Sequence, residues 1–145
     1  MRIAEGESQM LPGLETWLER TGRLRQSTQR VYELPWLGRR VDLALITGRG
    51  VTTAFELKIG NIQRALEQAT YNKSSFDRSW VVTGNKPRPE AIAWSKQLGI
   101  GILLIQGMRA LIVSQAHQNK PDPLAAKRLR DQIRERARGG SLAAI

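Results

Sequence analysis

Cysteine is absent from the chain, and histidine occurs once, at His117. These two scarcities exclude disulfides, thiol nucleophiles, sulfur-ligated zinc and histidine-clustered metal sites, and they leave a histidine triad without support. Long apolar runs are missing as well: no segment approaches the roughly 20 residues of a membrane helix, and the opening MRIAEGESQ lacks the basic-then-apolar order of a secretion signal. The expectation is a cytoplasmic protein with no membrane partner. Acidic residues are few, 13 against 23 Lys and Arg, which leaves a formal charge of +10. Such a field attracts polyanions, nucleic acid first among them, although a general solubility bias or an acidic protein partner would account for it too. Any chemistry must come from carboxylates, lysine, hydroxyls and amides.

What is present suits one α/β domain. The 145 residues, 41% hydrophobic and 25% charged, are enough for one buried core but not for two. Leu11, Leu14, Trp17 and Leu18 recur three and four apart and predict a helix from a Ser8 cap to Arg20, with Pro12 tolerated in its first turn and Gly22 ending it. Three strand-like runs follow, Gln29 to Trp36, Arg40 to Thr47 and Val51 to Lys58, joined by links short enough for an antiparallel meander. Asn61 opens a helix to about Lys73 that buries Ile62, Ala65, Leu66 and Ala69; a strand at Trp80 to Thr83, a helix at Pro89 to Leu98 and a hairpin in GIGILLIQGMRALIVSQ complete residues 1–119. A strand, helix, strand succession predicts that the third and fourth strands lie parallel in a mixed sheet. Residues 120–145 read as a basic helical tail, solvated or loosely docked because Leu129 and Ile133 make only a thin apolar stripe, or else a direct grip on phosphates.

Charges inside the predicted strands need explanation. Glu56 and Lys58 share one strand face while Phe55 and Leu57 take the other, and Asp42 faces away from Val41 and Leu43. If Gly48, Arg49 and Gly50 form a three-residue loop, Thr47 pairs with Val51 and Asp42 falls across from Glu56; a four-residue TGRG loop pairs Asp42 with Phe55 instead. Opposed carboxylates repel at the 4.5 to 5.5 Å Cβ spacing of cross-strand partners. A hard divalent ion, Mg²⁺ or Mn²⁺, would relieve that repulsion. The competing reading is an ordinary polar surface, with Glu56 and Lys58 as a solvated pair in an unrelated α/β interaction domain.

With Asp42, thirteen intervening residues and Glu56-Leu57-Lys58, the chain resembles the PD-(D/E)XK nuclease superfamily, and the resemblance covers about Ser8 to Thr83. Val41 stands where a proline often precedes the aspartate. The helix segment QATY supplies Gln68 and Tyr71, which many members carry in similar form. The resemblance implies a restriction-endonuclease-like αβββαβ core with a mixed sheet flanked by helices. It implies a metal-dependent nuclease acting on DNA, in which Asp42, Glu56 and the Leu57 backbone carbonyl hold Mg²⁺. Glu15 would be a further acidic ligand, with Glu19 or Glu33 as substitutes. Lys58 would orient the attacking water, stabilise the phosphate or act as base, and Gln68 would hold water, Lys58 or the substrate backbone. Arg39, Arg40, Arg64, Tyr71 and Lys73 are candidate nucleic-acid contacts, with Arg49 and Arg78 also near sheet ends. Trp36 and Trp80 are more simply core than base-stacking residues. A homodimer would supply two sites for two strands. The alternative is an inactive nuclease-fold module that binds nucleic acid or a protein partner.

Overall fold

The computed structural model of the protein describes residues 5–143, with side chains described for 6–139; the first four residues of MRIAEGESQ and the last two of the predicted tail lie outside them. The elements are α1 (Glu5–Ser8), α2 (Leu11–Arg20), β1 (Gln29–Trp36), β2 (Arg39–Ile46), β3 (Thr52–Lys58), α3 (Gln63–Asn72), β4 (Arg78–Thr83), α4 (Pro89–Leu98), β5 (Gly101–Gln106), β6 (Arg109–Ser114) and α5 (Pro123–Ala143). One six-stranded mixed sheet runs β1 to β6 in chain order. Its two middle pairings, β3 with β4 and β4 with β5, are parallel, and the outer ones are antiparallel. No helix among the described residues is long and apolar enough to cross a membrane.

The first predicted helix starts at Leu11 rather than at a Ser8 cap, with Met10 as its N-cap, after a separate short helix that ends at Ser8. Pro12 has no N–H to give, and in a continuous helix its ring would meet the carbonyl four residues back. The chain therefore closes α1 with a Met10 N–H bond to Glu7 and restarts at Leu11. From there Leu11, Leu14, Trp17 and Leu18 are buried as the spacing predicts, against Leu43, Phe55, Leu57, Trp80, Val82 and Leu103 on one face of the sheet. Trp80 stacks on Phe55 and meets Trp17 edge-on, which places it in the core. Gly101 is required beside it, because a Cβ there would lie 2.3 Å from the Trp80 ring.

The other face carries α3, α4 and α5. Ala65, Leu66 and Ala69 of α3 pack on Val81 and Ile102, with Trp94 and Leu98 of α4 alongside. Leu129 and Ile133 of α5, both fully buried, fill the space over Leu34, Ala44, Ile46, Ala54 and Phe76. The segment read as a solvated tail is thus a layer of the same core. Its stripe is thin because β1 and β2 already supply most of the apolar surface, so two large side chains and Ala126 suffice to seal it.

Strand alternation fails at one place. Tyr32 and Leu43 pack with α2, whereas Leu34 and Val41, two residues along each strand, pack with α5. Between them Glu33 takes φ 54°, a left-handed conformation rarely adopted by a glutamate, and the β1–β2 ladder omits the Glu33 and Asp42 pair. The twist stored there turns the two strand ends toward the α5 face.

Candidate active site

Asp42 lies at that twist. The β2–β3 ladder runs from the Ile46 and Thr52 pair to Leu43 and Phe55. Its loop has three residues, since Thr47 N–H bonds the Val51 carbonyl at 2.9 Å and Gly50 turns with φ 87°. That register carries Asp42 to a position across from Glu56, as the shorter loop predicts. The strands stop pairing there, and Asp42 Oδ2 instead accepts the Leu57 backbone N–H at 2.8 Å.

Glu56 is 2% exposed. Its Oε2 accepts from Asn72 Nδ2 at 2.7 Å, and Asn72 Oδ1 in turn accepts from Arg39 Nη2 at 3.1 Å. Burial, then the adjacent Asp42 charge, push the Glu56 carboxyl up to about 8, against the pull of Asn72, the Asp42 backbone N–H and Arg39. Burial also raises Asp42, opposed by the Leu57 N–H, while Glu33 and Glu7 raise it further and a hydrogen bond from Glu56 lowers it. At neutral pH the Glu56 carboxyl therefore favours its protonated form. The two groups behave as one acidic pair.

Of the cationic side chains, Arg39 acts on the pair directly, lowering Glu56. Lys58, on the same strand face as Glu56 and half exposed, reaches Glu7 at 3.9 Å; Glu7 thus bridges Lys58 and the field acting on Asp42. Arg39 lies beneath the Tyr71 ring at 5.1 Å, and its Nη1 is buried without a protein acceptor. Tyr71 is itself 63% exposed. Gln68 stands one helical turn before Asn72 on α3, partly buried, and Arg64 one turn before Gln68 is exposed.

Several predicted residues are occupied elsewhere. Glu15 accepts from the Tyr32 hydroxyl and pairs with Arg30 at 3.2 Å, so α2 does not deliver it to the carboxylate pair; Tyr32 and Arg30 on neighbouring β1 reach it first. Glu19 borders a separate cleft with Leu24 and Arg25. Glu33 is the substitute that does act on Asp42, and it is also paired with Arg40 at 3.4 Å. Lys73 donates to the Leu98 carbonyl at the end of α4, a helix-terminal tie rather than a free phosphate contact. Asn72 and Glu7 escaped the sequence reading. Asn72 carries no local signal within the predicted helix, and Glu7 belongs to an opening segment with no periodic pattern.

Among the described residues no three or more His, Cys, Asp or Glu side chains assemble into a metal-binding group. The oxygen donors that do converge are Asp42 and Glu56, with the Leu57 carbonyl beside them in sequence. Two carboxylates suit Mg²⁺, which keeps several waters and completes its shell with substrate oxygens. Asp42 Oδ2 is held by the Leu57 N–H and Glu56 Oε2 by Asn72, so an ion would enter in place of the proton that the pair shares.

No family model matches the chain, and no curated protein matches it in sequence. In fold it is similar to the solved structure of the SPO1766 protein of unknown function from Silicibacter pomeroyi, with TM-score 0.70 and 18% identity, over 99% of this chain and 93% of that one. At that identity the likeness speaks to the fold alone.

Proposed function

We propose that the protein is a metal-dependent nuclease of the PD-(D/E)XK type, hydrolysing phosphodiester bonds in DNA at Asp42, Glu56 and Lys58. One observation carries the reading: two carboxyl groups from adjacent strands share a buried position where the ladder has opened, and burial, with the Asp42 charge added, raises the Glu56 carboxyl to about 8. A folded protein keeps so unfavourable a pair when a ligand will compensate it. The element order from α2 to β4, with an antiparallel meander, a helix and a parallel strand, supports the restriction-endonuclease-like reading.

In this reading Asp42, Glu56 and the Leu57 carbonyl hold the ion. A bound Mg²⁺ supplies Lewis-acid polarisation of the phosphate and a lowered pKa for its water. Asn72 fixes the Glu56 rotamer so that loading costs a proton but little reorganisation. Lys58, released from its weak contact with Glu7, positions the water or steadies the charge developing on the phosphate oxygens. Gln68 and Tyr71 form a rim on α3 that orients the DNA backbone, and a second copy of the chain would give a cut on each strand.

The test is incubation with linear, circular, single-stranded and branched DNA in Mg²⁺, Mn²⁺ or EDTA. Cleavage should need the metal and should fall roughly 10²- to 10³-fold in Lys58→Ala, the scale for losing one charge-stabilising donor; cleavage unaltered in both Glu56→Gln and Lys58→Ala ends the proposal. A non-cleaving module is the second reading, favoured by the near-complete burial of Glu56. It expects DNA binding unchanged by EDTA and no stabilisation by Mn²⁺.

A further inference from the structure

At the opposite end of the sheet, beside the β2–β3 turn, lies a cleft of about 570 Å³. Its floor is made by Leu45, Phe55 and Trp80, side chains of the α2 face, while Glu56 belongs to the other face. Thr47 on its rim lies five residue steps along the chain from Asp42, about 17 Å of extended chain. A ligand in this cleft does not touch the carboxylate pair.

Four arginines line it, Arg23, Arg25, Arg49 and Arg78, and no Asp or Glu does. Among the described residues none of the four is in an ion pair with a carboxylate. Three are held in place by neutral partners. Arg23 lies over the Trp17 ring at 4.4 Å, Arg25 Nε donates to the Gly22 carbonyl at 2.9 Å, and Arg78 Nη1 donates to the Ala116 carbonyl at 3.4 Å. Those contacts orient the guanidinium groups and leave most of their N–H donors unspent. Burial, and then the neighbouring charge of Arg78, push the Arg23 guanidinium below its ordinary value, so the crowding is felt. Around the turn, a Cβ at Gly50 would meet Arg130 and Arg134 of α5 at 3.2 and 3.6 Å, which extends the same positive field.

Gathering four like charges around a concave wall costs free energy that a counter-anion recovers, and arginine forks match the oxygens of a phosphoryl group two at a time. The volume falls in the range of pockets that enclose a small organic ligand, and hydroxyls at Ser27, Thr28 and Thr53 on the same wall add neutral donors. We infer that this cleft binds the phosphate group of a nucleotide, free or carried on a nucleic acid strand, as a site separate from the carboxylate pair.

The experiment uses the full chain carrying Glu56→Gln, in EDTA, so that no cleavage intervenes and the outcome is independent of the nuclease reading. Arginine Nε–Hε resonances are followed while inorganic phosphate, a nucleoside monophosphate, and an oligonucleotide with or without a 5′-phosphate are added, with chloride at equal ionic strength as the control. Saturable shifts confined to Arg23, Arg25, Arg49 and Arg78 are expected. The exposed pair Arg25→Gln/Arg49→Gln should weaken them tenfold or more, and the ranking of probes assigns the source. Arg78→Gln provides a second readout: it should raise the Tm of the ligand-free protein by relieving Arg23, while shrinking the Tm gain on adding the tightest probe. No saturable shift with any probe at millimolar concentration overturns the inference. So do shifts that chloride reproduces or that survive the double substitution, and a ligand-induced Tm gain undiminished in Arg78→Gln.

Discussion

Glu56 concentrates the physics of the candidate active site in one side chain. Its carboxyl titrates near 8 in the folded protein, against an ordinary value of 4.5. Between those values the folded state keeps a proton that the unfolded chain has released, so stability falls as pH rises from about 4.5 to about 8 and levels off above. The full swing is on the order of 3 to 5 kcal/mol, and thermal melts in EDTA across that range should show it. Glu56→Gln should flatten the slope and raise the Tm at pH 8; a parent protein with the same pH profile as the variant would contradict the pairing with Asp42. Since a cation needs the deprotonated pair, Mn²⁺ should stabilise the parent more at pH 8 than at pH 6. Asn72→Ala removes the donor to Oε2 and strands Arg39, and should cost about 1 to 3 kcal/mol, visible as a lower denaturation midpoint.

The helix laid over β1 and β2 is the element whose weight is hardest to judge by inspection of its residues. Leu129 and Ile133 are both fully buried, so Leu129→Ala or Ile133→Ala should cost about 2 to 5 kcal/mol, measurable by urea unfolding. A solvated tail would tolerate either change. This is also where legibility in the sequence ran out. Glycines at 48 and 50 narrowed the β2–β3 loop to two lengths, and for the three-residue one strand period two places Asp42 against Glu56, the register observed. The α2 face was readable from its 3.6-residue spacing. Helix α5 presents few apolar positions of its own, and what it covers is decided by Leu34, Ile46 and Phe76 far away in sequence. Asn72 and Glu7 were hidden for the same reason, since a polar residue's partner across the fold leaves no local periodicity. Pro12 sits in the first turn of α2, as its missing N–H allows, and only the start of that helix moved from Ser8 to Leu11.

For the whole molecule the charge of +10 has a measurable consequence. DNA affinity should fall linearly on a logarithmic salt axis, with a slope near 0.9 per phosphate neutralised. Replacing Arg25 and Arg49 by Gln should lower that slope by about two if both reach phosphates, whereas Glu56→Gln should leave it within error. An unchanged slope in the double variant would remove the turn end of the sheet from the DNA path. The two polar regions also sit at opposite ends and on opposite faces of one sheet, so substitutions in one should add to those in the other without coupling.

Helix α5 follows every strand in the chain, and yet it closes the face of the first two. A polypeptide emerging from the ribosome therefore has to carry β1 and β2 with Leu34, Ile46 and Phe76 uncovered until some fifty residues beyond Phe76 have been made, several seconds at ordinary synthesis rates. During that interval the exposed sheet face is the natural handhold for a chaperone, and a stalled or truncated product would aggregate through it.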